Sequence, residues 1–332
     1  MADTIMSLVE AAKAEAPSTK TGYIGIYANA YQPNYVAPVQ KSGRVWDWTV
    51  EDSLPHTGSS SSRAIGSDFD ATQANFKPYE SKVKAYGGKI KVDRYIKYNM
   101  PESMPRQQES QIKAFARSAF IDTFEGTGGS AMRGIRHWLG GDATTYSALA
   151  IAPGYENQIV SAGATSGGVA ISLDMLDEAI SKVDVRPGKT FIYANFVLVR
   201  GIQKLNRGNV SAGHNVVFDP SQIGTFSMVY DNIPIVQTTD GKNADLLSTT
   251  EYDYSNGVQT TMSLYIVTWD DDAATYFSTN PQGISGVPLP ILDNDGDGSN
   301  YQYERFEFYV GFVPQIPRSV VRLMNLKNAL PS

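Results

Sequence analysis

The stretch from Ser103 to Glu125 constrains this chain most. Ile112, Phe115, Ala116, Ala119, Phe120 and Thr123 recur at helical spacing, which gives one apolar face to a long helix. Ser103 can cap its start, Pro105 suits the first turn, and Gly126-Thr-Gly-Gly129 stops it. At the α-helical rise such a helix is a rod of about 33 Å. A rod that long with a single apolar stripe needs a broad partner layer, which the rest of the chain has to supply.

The remaining material is sufficient for that. The chain has 332 residues, of which 42% are hydrophobic and 19% charged, and this excludes wholesale disorder. There is no cysteine, so disulfides, thiolate catalysis and sulfur-ligated metals are excluded. Three histidines, His56, His137 and His214, lie far apart and give no metal or nucleophile spacing. The net charge of −6 argues against a protein that grips nucleic acid with its whole surface. No run approaches the roughly 18 apolar residues of a membrane span, and the first residues lack a basic leader, so a cytosol-like compartment and no membrane partner are expected. The 19 tyrosines fit either surfaces that become buried against partners or ordinary strand chemistry.

Around the long helix the pattern alternates between extended and α/β. Thr4 to Glu15 reads as a short amphipathic helix with Asp3 as cap and Pro17 as stop. Gly43–Val50 alternates as a strand and leads into the tip composition Leu54–Ser62, which predicts a projecting hairpin with no core of its own. Residues 79–98 read as two strands broken at Gly87-Gly88, with Val83, Ala85, Ile90 and Val92 opposite lysines. Further on, Ser172 caps a helix to Val183, Thr190–Tyr193 is a strand, and Asn195–Leu205 is a helix stopped by Gly208. Phe226–Tyr230 and Ile233–Thr238 flank an Asp231-Asn232 turn; Ser263–Trp269, Tyr303–Val313 and Val320–Leu326 complete the strands. No repeat is visible.

Charge is segregated along the chain. Lys77 to Arg117 holds ten Lys and Arg against four Asp and Glu, whereas Asp231 to Val310 holds 13 acids against two bases. Such segments either pair between copies or are two solvated faces.

One motif has metal-ligand spacing. Asp293, Asp295, Asp297, Ser299 and Glu304 occupy loop positions 1, 3, 5, 7 and 12, with Gly298 at 6, the pattern of a calcium-binding wrap. Asn300 at position 8 and flanking strands in place of helices depart from that pattern, and an acidic turn between strands reads equally well. Gly126–Ala131 matches a dinucleotide fingerprint, but it follows a helix where the binding version follows a strand. Gly188-Lys-Thr190 lacks the first glycine of a phosphate loop, since position 183 is valine. No catalytic constellation is present in the spacing, so no enzymatic activity is expected.

The order of these elements, with several local sequences, resembles the major capsid proteins of tailed bacteriophages, which have the Hong Kong ninety-seven-type fold. Tyr86-Gly-Gly-Lys-Ile-Lys-Val-Asp-Arg94 resembles the strand entering the family's spine helix, and Gly134-Ile-Arg-His-Trp-Leu139 the turn after it. Tyr230-Asp-Asn-Ile-Pro-Ile-Val236 and Ser263-Leu-Tyr-Ile-Val267 resemble axial-domain strands, and Val320-Val-Arg-Leu-Met-Asn-Leu326 the terminal strand of the peripheral domain. Asn232 stands where the family commonly has glycine.

The resemblance implies an α+β chain in five parts: an N-terminal arm (1–40), an extended loop (41–78), a peripheral domain with spine helix 103–125 (79–150), an axial domain (151–304), and closing strands of the peripheral domain (305–332). It also implies a function, a shell of hexamers and pentamers enclosing double-stranded DNA that is contacted non-specifically. The implied location is the virion, after assembly in the host cytoplasm. A separate scaffolding protein, a portal and decoration proteins are the further partners it implies. An encapsulin-like compartment, or a calcium-binding β-rich decoration or adhesin protein, are the alternatives.

Overall fold

A computed structural model describes residues 39–40, 43–53, 75–93, 103–129, 132–141, 146–152, 154–163, 165, 167–208, 216–219, 227–239, 245–252, 258–279, 289–293 and 301–330. The expected helix 4–15, the hairpin tip 54–62 and the loop residues Asp295, Asp297 and Ser299 lie outside them.

The described chain begins with β1 (Val39–Gln40), β2 (Val45–Ser53), β3 (Asn75–Lys82) and β4 (Lys84–Asp93). Helix α1 then runs over Ser103–Glu125, as its spacing predicts. Phe115, Ala116, Ala119, Phe120, Thr123 and Phe124 form its buried stripe. Gly126 ends it at a point where the chain folds back tightly. A Cβ there would lie 2.0 Å from the Met132 carbonyl oxygen and 2.5 Å from that of Asp122.

A short helix α2 (Ile135–Trp138) and strands β5 (Leu139–Gly141), β6 (Tyr146–Ile151) and β7 (Ile159–Ser161) follow. Helix α3 (Leu173–Ser181) is capped by Ser172, whose hydroxyl accepts from the Met175 amide. Strand β8 (Thr190–Ala194) leads into α4 (Phe196–Gly208), and then come β9 (Val216–Asp219), β10 (Ser227–Tyr230) and β11 (Ile233–Gln237). Asp231 and Asn232 join β10 to β11 at φ 49° and 61°, the left-handed pair of a tight hairpin turn. The chain closes with β12 (Glu251–Tyr252), β13 (Val258–Thr268), β14 (Ala274–Ser278), β15 (Leu289–Asp293), β16 (Tyr301–Pro314) and β17 (Val320–Lys327).

Two sheets carry most strands. The larger has the order β7-β17-β13-β8-β11-β10-β9, with β12 beside β13. Adjacent residues on its strands face opposite layers, as the pleat requires. Ile192, Leu264, Ile266, Val321 and Leu323 pack with α3 and α4. Tyr193, Tyr265, Val267 and Val320 pack with α1. The sheet is therefore covered on both sides. Asn325, at φ 60°, sits where the β13–β17 register slips, so Leu326 returns to the α3–α4 side one residue out of the simple alternation.

The smaller sheet is built on β16, which pairs with β4 on one flank and with β14 and β15 elsewhere along its length. Three expectations change here. Gly87-Gly88 does not break the chain, because β4 runs through it, paired with β16 from Lys84↔Val310 to Asp93↔Tyr301. Gly88 lets the strand lie on α1: a Cβ there would stand 3.0 Å from Gln111 Oε1 and 3.2 Å from Phe115 Cζ. The break falls at Val83, and Ala85 is exposed rather than part of an apolar face. The expected grouping of 305–332 also divides: β16 stays with β4, while β17 crosses into the larger sheet between β7 and β13. Conversely β14 and β15, within the expected axial segment, pair with β16.

Gly126→Ala should lower stability by about 3 kcal/mol or more, because both nearby atoms belong to backbone that cannot move aside. Gly129→Ala, whose nearest neighbour is 3.9 Å away, should change it by less than about 0.5 kcal/mol. Urea midpoints of the two variants check this.

Candidate assembly surface and the buried charges behind it

Strands β2 and β3 form a two-stranded ribbon, and no third strand joins it among the described residues. The register runs from Val45↔Lys82 to Ser53↔Asn75. Since only Val83 separates β3 from β4, one nearly continuous line of chain leaves the smaller sheet as this ribbon. The inner face of its root is anchored. Trp46 meets Phe277 edge-on at 5.4 Å, and Trp48 lies 5.3 Å from Trp138 and stacks on Tyr79 at 5.7 Å. Tyr79 in turn packs on Tyr155, and Ser81 donates to the Phe312 carbonyl at 2.8 Å. The expectation of a segment 41–78 without any partner in its own chain is thus corrected for the root: two tryptophans pin it to the body.

The outer face differs. Asp47, Thr49, Pro78, Glu80 and Lys82 are exposed, and with them Val45 at 37% and Phe76 at 57%. A two-stranded ribbon is marginal in water by itself, and an aromatic ring left on its open face favours a further covering layer.

Elsewhere in the body, a largely buried charged cluster joins α1 to the larger sheet. Glu251 accepts from Arg322 Nη2 at 2.9 Å and from Arg136 Nη1 at 3.3 Å. Ser263 donates to the same carboxylate and accepts from Arg322 Nε at 2.9 Å. Glu125, the last residue of α1, lies 3.7 Å from Arg136 and accepts from the Ser248 amide at 2.5 Å. Burial pushes the Glu125 carboxyl above the usual carboxylate range, against the pull of Arg136 and that amide. These groups come from α1, α2, β12, β13 and β17, so the cluster locks the long helix to the larger sheet. Sequence reading did not find it, because its partners are 71 and 115 positions apart. One local signal existed: Arg322 places a cation inside a strand that is buried from Val320 to Leu326.

Tyrosine polar tips find partners inside as well. Tyr193 accepts from Trp269 Nε1 at 2.8 Å, and Tyr276 shares a hydrogen bond with Thr123 at 2.9 Å. Tyr155, Tyr193, Tyr230, Tyr265 and Tyr276 are all buried, so these five serve the core. On the surface, Arg186 and Lys189 pair with Asp270 and hold its carboxyl down at about 2.

The proposed cation loop is only partly placed. Asp293 pairs with Tyr303, and Leu292 with Glu304, in the β15–β16 ladder, which brings the two ends of segment 294–300 together. Among the described residues no three metal-ligating side chains converge.

No family model matches the sequence, and no curated protein matches it. Solved structures do. The capsid protein of a native GTA particle matches with a TM-score of 0.60 at 9% identity, covering 90% of each chain. The capsid of cyanophage A-1(L) matches at 0.59 and 12% identity, covering 92% of this chain and 93% of that one. The shell protein of the holo-SrpI encapsulin complex from Synechococcus elongatus matches at 0.58 and 13%, covering 89% and 87%. The chain has the Hong Kong ninety-seven-type capsid fold shared by phage capsids and encapsulins.

Glu251→Ala would strand two buried guanidinium groups and should cost about 3–5 kcal/mol, measured by denaturant unfolding. A second expectation concerns Asp122, which accepts from the Tyr86 hydroxyl at 2.7 Å. Burial raises its carboxyl above 3.8 and the Tyr86 bond opposes this. The folded state therefore binds the proton more readily than the unfolded one, and the stability of the native chain falls as pH rises through that raised value. Asp122→Asn, which keeps an acceptor for Tyr86, should be the more stable form at pH 7, and its advantage should vanish below about pH 4. Melting curves across pH would show this.

Proposed function

We propose that this chain is the major capsid protein of a tailed bacteriophage, assembling as hexamers and pentamers into the icosahedral head that encloses double-stranded DNA. The observation that carries this is a capsid fold matched over nine-tenths of both chains, together with an anchored ribbon whose outer face holds an uncovered phenylalanine. A root fixed by Trp46 and Trp48 aims the ribbon, and an open outer face leaves it area to give to a neighbour. Repeated around closed symmetry, such contacts build a shell. The role is structural and not catalytic. A separate scaffolding protein, a portal and decoration proteins are the further partners of this reading, and the mature location is the virion after assembly in the host cytoplasm. The acid-rich balance suits a wall that contains DNA without gripping it.

An encapsulin-like compartment is the second reading, favoured by a structural likeness of equal strength. The calcium loop stays within the proposal: Asp293, Asp295, Asp297, Ser299 and Glu304 would wrap a Ca²⁺ between two strands and stiffen the β15–β16 hairpin.

Size-exclusion chromatography with electron microscopy of the purified chain should give closed shells. Shells carrying nuclease-protected DNA in infected cells support the phage reading, whereas shells filled with protein support the compartment. Phe76→Asp should abolish shells while leaving a folded chain. Wild-type shells should lose thermal stability with a chelator, and an unchanged melting temperature would remove the cation.

A further inference from the structure

The charged cluster between α1 and the larger sheet has donors to spare. Arg136, Arg322 and Tyr265 are 3%, 3% and 0% exposed. Tyr265 and Arg322 stand directly opposite each other in the β13–β17 ladder, on the face of the larger sheet that α1 covers. Arg136 reaches in from α2. Its guanidinium meets Glu251 Oε1, while that of Arg322 meets Oε2 of the same carboxylate. Burial raises the Tyr265 phenol, and the charges of Glu251, Arg322, Arg136 and Glu125 also act on it, so its hydroxyl lies among them.

Each of these three side chains has one polar group without a hydrogen-bond partner among the described residues: Arg136 Nε, Arg322 Nη1 and the Tyr265 hydroxyl. All three groups can donate. The acceptors beside them are already engaged. Glu251 Oε1 accepts from Arg136, and Oε2 accepts from Arg322 and Ser263. Ser263 Oγ accepts from Arg322 Nε, and Glu125 Oε1 from the Ser248 amide. A buried donor left unpaired is costly, and in native proteins such groups are commonly met by a bound water or ion. A water would accept from these donors but bring two protons that need acceptors of their own. A monatomic anion accepts from all three and donates nothing. Charge agrees with this, because burial favours the neutral form of Glu125 and so moves the balance of the two arginines and two glutamates toward positive.

We propose that Arg136, Arg322 and Tyr265 together hold one chloride-sized monovalent anion inside the chain, at the seam of α1, α2 and the larger sheet. Three donors suit a halide. A phosphate or sulfate, with four oxygens and more charge, would need more donors than these side chains leave over. Bound there, the anion would join the helix α2 that follows α1 to β13 and β17. A ligand held only by the folded chain stabilises it in proportion to its occupancy. The inference stands apart from the shell reading, since every group in it belongs to one copy of the chain.

The test uses the full-length chain in sodium gluconate, titrated with sodium chloride at fixed ionic strength. The melting temperature should rise by at least about 2 °C and then saturate, and sodium bromide should act in the same way. Tyr265→Phe deletes one donor and adds no polar atom, so it should move the chloride midpoint at least about threefold higher. Tyr276→Phe alters a buried tyrosine outside the cluster and should keep the wild-type midpoint. Anomalous diffraction from wild-type crystals grown in bromide should place one peak within hydrogen-bond reach of the three donors, and this reading holds even if Tyr265→Phe does not fold. Equal melting in gluconate and chloride overturns the proposal. So does a midpoint that Tyr265→Phe leaves in place, or one that Tyr276→Phe shifts as far. A bromide peak elsewhere, or density without anomalous signal between the three donors, assigns them to water and overturns it as well.

Discussion

The contact between the inner stripe of α1 and the aromatic face of the larger sheet governs the rest of this structure. Phe124 lies 4.9 Å from Tyr193 and 5.2 Å from Tyr265, with Phe120 tilted against Phe124 at 5.1 Å. Each buried ring of this kind is worth about 1.5–3 kcal/mol in area alone, and aromatic pairing adds to it. Hydrophobic burial has no direction, however, and would tolerate a helix sliding along its axis. The charged cluster supplies direction. Glu125 at the helix end and Arg136 just beyond the turn meet Glu251 and Arg322 in the sheet, contacts that a helix sliding along its axis would break. Such a cluster adds little net stability and much specificity, because misplacement strands a charge indoors. With α1 fixed, β4 is fixed against it through Gly88, and the smaller sheet follows.

The ribbon depends on that chain of positions. It leaves the smaller sheet along the same line as β4, so its direction is set by the β4–β16 ladder. Its root is set by two tryptophans that touch different partners: Trp46 meets β14, and Trp48 meets α2 through Trp138. An element anchored at one end by several rigid rings, and open on its outer face, is pre-aimed. Pre-aiming reduces the entropy lost when a partner is met, so in the proposed shell each contact between copies can be individually weak and still sum to a closed assembly.

How much of this was legible in the sequence follows from the range of the forces involved. Helix α1 was readable to the residue, because its stripe, its proline and its glycine stop are all local. The Ser172 cap and the Asp231-Asn232 turn were readable for the same reason: each is a bond between near neighbours. What failed was partner choice. Val320–Leu326 reads as a buried strand, and it is one, but nothing in its own residues says which sheet buries it. Gly87-Gly88 carries the composition of a turn, yet its glycines answer to a helix more than twenty residues away. The Arg136–Glu251–Arg322 cluster was invisible save for the oddity of an arginine in an apolar strand. Of the candidate site, the segregation of charge was legible, and the pairing of β16, from the end of the acidic segment, with β4 of the basic segment was not, since it joins strands distant in sequence.

In the proposed shell, the segregation also bears on how copies stay apart before they assemble. A net charge of −6 keeps copies apart at long range, while the described cations of the basic segment lie on β3, β4 and α1. In such a shell, approach would be opposed in most orientations and favoured in those that bring unlike charges together. An uncovered apolar ring such as Phe76 would, without that filter, invite contact in any orientation. Charge in this arrangement selects geometry, and apolar area then holds what charge has selected. The division of labour is the same as inside the chain, where Glu251 and its arginines fix the position of a helix that phenylalanine and tyrosine rings hold in place.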